Sequence, residues 1–142
     1  MSVSMSAGER EAFLAEVHVG VLAVEGGPGR GPLVTPVWYS YRPGGPVTVV
    51  TGGSTYKARA SGAAGRFSLC AQDEAPPYKY VSVEGPAVVG PADEAERTAI
   101  ARRYLGTEGG DAYIAANPGT GGVVIRMTPE HWQAADFSKA EG

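Results

Sequence analysis

The sequence predicts a mostly antiparallel β-barrel carrying a few short helices, and three observations lead there. Apolar, β-branched runs of about five to ten residues recur along the chain, the length of ordinary strands. The 21 glycines and 11 prolines call for many turns between those runs. Only a few stretches combine helical apolar spacing with a capping residue. With 142 residues, 43% of them hydrophobic and 19% charged, the chain has the size and composition to bury one core. We therefore expect a single domain over residues 1–142, with an N-terminal helix at about 6–16 and the barrel at about 17–137.

The elements follow in order. Ser6 and Glu9 form a capping-box pattern, and Phe13, Leu14 and Val17 then recur at helical spacing. Val17 to Val24 reads as a strand, broken by Gly26-Gly27-Pro28-Gly29. Leu33 to Tyr41 and Val47 to Thr51 flank the turn Arg42 to Pro46 and are expected to pair as a hairpin. Ser54 or Thr55 can cap a helix that Gly65 stops after about Ala64. Arg66 to Asp73 and Tyr78 to Val89 are strands of a second hairpin, separated by a turn whose Pro76 and Pro77 cannot donate to a ladder. Asp93 and Glu96 open a helix whose inward face is Ala95, Ala99, Ile100 and Tyr104, and Gly106 ends it. Residues 107–121 read as a loop with at most a helical turn at 111–116, followed by strands at 123–127 and 131–137.

Composition excludes several functions. Twelve Lys and Arg against 15 Asp and Glu give a net charge of -3 with no basic run, so nucleic acid is not expected as a partner. A lone Cys70 permits no internal disulfide, and no Cys/His spacing suggests a metal site. The chain has no apolar run near 18 residues, and Met1 to Met5 lacks a leader-like pattern, so no membrane association and a cytoplasmic location are expected. His18 and His131 lie far apart with no carboxylate spacing that would define a triad.

One segment carries candidate chemistry. Lys57 falls in the first turn of its helix, where the backbone N–H groups already present about half a positive charge. An anion docked there would resolve the conflict, with Gly52 and Gly53 admitting it closely and Ser54 and Thr55 offering hydroxyls. Lys57 and Arg59 are two residues apart and point to different sides of a regular helix, so spacing alone favours a solvated helix face over an anion site. Trp38, in an apolar strand, could pack into the core or wall a ligand.

The order Thr51, a small turn, Thr55, Lys57, Arg59 resembles the phosphate-binding stretch of the pyridoxamine-phosphate-oxidase-like split barrels. Leu33-Val34-Thr35-Pro36-Val37-Trp38-Tyr39, Phe67-Ser68-Leu69-Cys70, the segment Tyr78 to Gly85 and Arg102-Arg103-Tyr104-Leu105-Gly106 are similar to its further strands and helix, so the resemblance spans roughly residues 9–137. Within that family the pattern is most similar to the actinobacterial branch that uses the deazaflavin F420. The resemblance implies an antiparallel split β-barrel of the FMN-binding type, a homodimer with cofactor sites at the subunit interface, and oxidoreductase activity on a small conjugated substrate. It implies that Thr51, Ser54, Thr55, Lys57 and Arg59 hold the cofactor phosphate, that Thr35, Pro36, Val37 and Trp38 run beside the ring, and that Tyr78 and Lys79 reach the partner's site.

Family members that bind FMN commonly carry Ser-Arg-Lys where this chain has Thr55-Tyr56-Lys57. Tyr56 therefore removes one cation, worth about 1.5–3 kcal/mol toward a doubly charged phosphate, which favours the phosphodiester of F420 over FMN. The stretch His131 to Asp136 lacks the basic substrate motif of true pyridoxamine phosphate oxidases, so that reaction is not expected. FMN is the alternative cofactor, and a non-catalytic cofactor-binding carrier is the alternative function, because no acid, base or nucleophile stands out.

Overall fold

The computed structural model describes residues 2–119 and 122–141. Among them the chain forms α1 (Ala7–Ala15), β1 (Gly20–Val24), β2 (Leu33–Val37), β3 (Val47–Gly52), α2 (Tyr56–Ala64), β4 (Arg66–Asp73), β5 (Lys79–Pro91), α3 (Glu94–Ala116), β6 (Gly122–Met127), β7 (His131–Asp136) and a closing 3-10 turn, Phe137–Glu141. The strands are hydrogen-bonded in the order β2-β1-β4-β5-β6-β3, with β7 also on β5, and every pairing is antiparallel. No helix among the described residues is long and apolar enough to cross a membrane.

The 13-residue β5 bends the sheet. Its first half pairs with β4 and β7, and its second half, from Ala87, pairs with β6. Gly85 sits at the changeover, where a Cβ would collide with the Thr128 carbonyl, so the β6–β7 connection can press onto the strand only if this residue is glycine. Alternate residues of the curled sheet point inward: Leu22, Val49, Phe67, Leu69, Val83 and Ile125 are all at most 2% exposed. Phe13 and Leu14 of α1 complete this core. The Ser6–Glu9 capping box forms as the sequence predicts, with Glu9 N–H donating to Ser6 Oγ and Ser6 N–H to Glu9 Oε1.

Helix α2 starts on Thr55 as its N-cap and ends at Gly65, which takes the left-handed conformation (φ 71°) and whose carbonyl accepts the Ala87 N–H. It lies against β1, β4 and β5.

Two expectations are corrected. The segments flanking the Arg42–Pro46 turn do not form a hairpin: β2 pairs with β1 and β3 with β6. Only Ser40 and Thr48 bridge across that turn, through reciprocal bonds of 2.9 and 3.0 Å. Pro36 offers no N–H, which suits β2 to a sheet edge, while β3 gains a full six-pair ladder on β6. The second correction concerns residues 107–121, of which 120 and 121 lie outside the described residues. Gly106 (φ 78°) interrupts α3 where the helix was expected to end, yet helix resumes to Ala116. Within the resumed helix Gly110 serves packing: a Cβ there would come within 2.7 Å of the Arg102 backbone, and Arg102 pairs with Asp111 at 2.8 Å. The seven strands otherwise fall close to where expected, with β1 starting at Gly20 rather than Val17 and β2 ending at Val37 rather than Tyr41.

Candidate functional site

The two sheet edges, β2 and β3, meet at the Ser40–Thr48 bridge and carry no further pairing beyond it. Continuing that antiparallel register places Trp38 opposite Val50, Val37 opposite Thr51 and Thr35 opposite Gly53. Trp38, Val50, Thr51 and Gly52 line one cleft together, as this register requires. The barrel wall thus has an open seam, and α2 begins at its far end.

The turn from Thr51 to Thr55 is fixed by its own hydroxyls. Thr55 Oγ1 donates to the Gly52 carbonyl at 2.8 Å and accepts the Ala58 N–H at 3.3 Å. With that proton committed, Thr51 is the donor in the 3.3 Å contact between the two threonine hydroxyls. Both threonines therefore shape the turn, and Ser54 is left as its exposed hydroxyl.

The cations divide into two groups. Arg66, Lys79, Arg97, Arg102, Arg126 and Lys139 each pair with a carboxylate. Arg103 donates to the carbonyls of Ala15 and Glu16, and Arg10 lies over the Trp132 ring. Among the described residues Arg30, Arg42, Lys57 and Arg59 have no carboxylate within ion-pair distance, and three of these four flank one place, the start of α2. Tyr56 stands among them: its hydroxyl donates to the Gly26 carbonyl at 2.8 Å, and the Arg59 guanidinium lies 5.8 Å from its ring centre. The ring separates a cleft of about 390 Å³ that includes Arg59, Glu25 and Gly27 from one of about 240 Å³ that includes Arg30, Pro32 and Val34. Lys57 and Arg59, neither with an ion-pair partner among the described residues, thus lie in the first residues of α2, and Glu25 is the carboxylate lining the cleft that includes Arg59.

No family model and no curated protein matches the chain in sequence. Solved structures do match it in shape. A conserved hypothetical protein of Mycobacterium tuberculosis superposes with a TM-score of 0.80 at 23% identity, covering 99% of this chain and 91% of that one. A Listeria innocua protein described as a candidate pyridoxamine 5'-phosphate oxidase gives 0.68 at 16%, covering 90% and 96%. A protein described as an F420 reductase gives 0.64 at 20%, covering 87% and 94%. The chain has the split-barrel fold. The seam between β2 and β3 is a break in that barrel's wall, and the residues around it can be placed accordingly.

Along β2 of the split barrel, Val37 points into the core at 6% exposure, Thr35 shares its inward side, and Pro36 is exposed. Trp38 combines both of its expected roles. One face lies parallel to Tyr104, with ring centres 5.0 Å apart and planes 7° from parallel, while the residue also walls the seam cleft. Tyr104 is held in turn by its hydroxyl, which donates to the His18 carbonyl at 2.6 Å and accepts the Tyr39 N–H at 3.1 Å. Lys57 is half-buried and Arg59 exposed. Tyr78 and Lys79 lie at the start of β5, with β1 and β4 between them and β2, and Lys79 sits 4.0 Å from Asp136. Among the described residues no hydrogen bond, ion pair or shared cleft links these two residues to Lys57 or Arg59.

Arg30 and Tyr113 were not singled out from sequence. Arg30 lies in a glycine-rich loop whose path is not encoded locally, and Tyr113 lies in the helix read as a loop. Tyr56 had been read only as a missing cation, but its hydroxyl ties α2 to the β1–β2 loop.

Proposed function

We propose that this split barrel binds a flavin-type cofactor, coenzyme F420 ahead of FMN, and acts as an oxidoreductase on a small conjugated organic molecule. The carrying observation is the set of cations at the start of α2 that no carboxylate of the described chain neutralises. An anion at that place would receive Lys57 and Arg59, the free Ser54 hydroxyl and the helix N-terminus together. The residues fit a phosphate group. They fit one negative charge better than two, because position 56 supplies a phenol committed to Gly26 rather than a further guanidinium.

In this reading Thr51 and Thr55 hold the turn in shape, Lys57 and Arg59 bind the phosphate, and Arg30 adds attraction from across Tyr56. Thr35, Pro36, Val37 and Trp38 border the seam in which the ring system would lie. Bound F420 supplies a two-electron hydride carrier. Because no side chain here is a dedicated proton donor, any proton needed to complete two-electron reduction of an acceptor would come from solvent. The chain's part is to orient the partners and exclude water, which suits a site without a dedicated acid or base.

A homodimer accords with the outward face of the sheet. Pro36, Val21, Cys70 and Ser82 align in one row across four strands, and Val34, Ala23, Ser68 and Glu84 in the next, Glu84 being the charged member of the two rows. Tyr78 and Lys79 would then approach the site from the partner. Thermal unfolding with F420 and with FMN tests the cofactor: ligand at 100 times its Kd stabilises by about 2.7 kcal/mol. Stabilisation by F420 at lower concentration than FMN supports this reading, and stabilisation by neither overturns it. F420 binding without turnover on any conjugated acceptor would make the protein a carrier.

A further inference from the structure

We propose that the cleft between β3 and the second half of α3 is the acceptor's seat, and that it selects a neutral, flat, conjugated molecule. This rests on the cofactor reading above. The cleft encloses about 390 Å³, within the range of small-molecule sites, and Trp38, Val50, Thr51, Ile100, Tyr113 and Asn117 contribute to its wall.

Flatness follows from the aromatic corner. Trp38 lies on Tyr104 as a shelf, and the Tyr104 hydroxyl is pinned to the backbone at His18 and Tyr39, so the shelf is ordered before any ligand arrives. Tyr113 rises from it at 51°, with ring centres 5.5 Å apart. A planar conjugated molecule can lie over the indole and present its edge to the Tyr113 ring, the two aromatic geometries that are favourable. Tyr113 is 40% exposed, and among the described residues its hydroxyl has no hydrogen-bond partner. An aromatic side chain with a free hydroxyl, beside a cleft lined by both apolar and polar residues, suits a conjugated carbonyl compound, whose oxygen would accept that bond.

Neutrality follows from Arg97, the cation in this wall. Its guanidinium is spent on Glu94 at 2.8 Å and on the Asn117 carbonyl, and its side chain is only 16% exposed. An anionic acceptor would find no free charge here, in contrast to the start of α2. The seat also adjoins the cofactor site, since Trp38, Thr51 and Gly52 belong to both.

Fluorescence tests this without any cofactor. The chain has two tryptophans, so a Trp132→Phe variant reports on Trp38 alone. We expect 1,4-naphthoquinone to quench it saturably, Tyr113→Ala to weaken that binding at least tenfold, and Tyr113→Phe, which removes only the hydroxyl, to weaken it by about three- to tenfold. The anionic 1,4-naphthoquinone-2-sulfonate should bind at least tenfold more weakly than the neutral quinone. Should Trp132→Phe not fold, the difference between wild type and Trp38→Phe isolates the same signal. Absence of saturable quenching, no effect of Tyr113→Ala, or equal affinity for the sulfonate overturns the proposal. F420 binding by the same wild-type protein then still stands or falls separately: quenching without F420 binding contradicts only the cofactor reading, and F420 binding without quenching only the seat.

Discussion

The two ends of the seam between β2 and β3 are built on opposite terms. At the closed end the hydroxyls of Tyr39, Ser40 and Tyr41 are spent on other parts of the chain. Tyr39, fully buried, donates to the Leu14 carbonyl at 2.7 Å, Tyr41 to Glu11 at 2.9 Å, and Ser40 to Glu96 at 2.8 Å. Burial pushes the Tyr39 phenol well above its ordinary pKa, and burial together with Glu11 pushes Tyr41 up to about 12, so this end keeps its protons throughout the neutral range. At the open end Arg30, Ser54, Lys57 and Arg59 are spent on no carboxylate of the described chain. Internally satisfied groups specify the barrel, and the groups left over are those assigned to the anion in the function proposed above.

This contrast can be broken in order of expected size. Tyr39→Ala removes a buried ring and orphans a carbonyl, and should cost about 3–5 kcal/mol in urea unfolding. A cost below about 1 kcal/mol would mean that the closed end does not hold the barrel. Lys57→Ala should do the reverse, leaving stability within about 0.5 kcal/mol while F420 affinity drops by about 1.5–3 kcal/mol, roughly 10- to 150-fold, in a binding titration. Tyr56→Arg, which returns the absent cation, should improve FMN affinity relative to F420 about tenfold, and an unchanged ratio would remove the charge argument for F420.

The smallest effect lies outside the seam. Hydrogen bonding from Lys139 and from Ser6 lowers the Glu9 carboxyl from the ordinary 4.5 to about 2. A depressed carboxylate stabilises the folded chain fully above its ordinary value and loses that contribution as pH falls. The start of α1 should therefore fray between about pH 4.5 and pH 2 while the sheet persists, as amide chemical shifts at Ser6 to Glu9 would report.

What the sequence made legible was local. The Ser6–Glu9 box, the Thr55-to-Gly65 helix and the β4–β5 hairpin each depend on residues close in the chain, and each formed as read. The partner of β2 was not legible, because Pro36 and the competing ladder between β3 and β6 act over long range. Residues 107–116 read as a loop, but the close approach of Gly110 to the Arg102 backbone lets helix resume there. The same misreading hid Tyr113, and with it the cleft. The segment from Thr51 to Arg59 was legible as an anion site only in outline: Arg30 joins it through a loop, and the two threonines turn inward to hold the turn.

The most direct test of the account is an equilibrium titration of F420 into wild-type protein and Lys57→Ala, with unfolding of both followed alongside. The account predicts saturable binding to the wild type, at least tenfold weaker binding to the variant, and coincident unfolding curves. Equal affinity in the two proteins, or no binding to either, would contradict it.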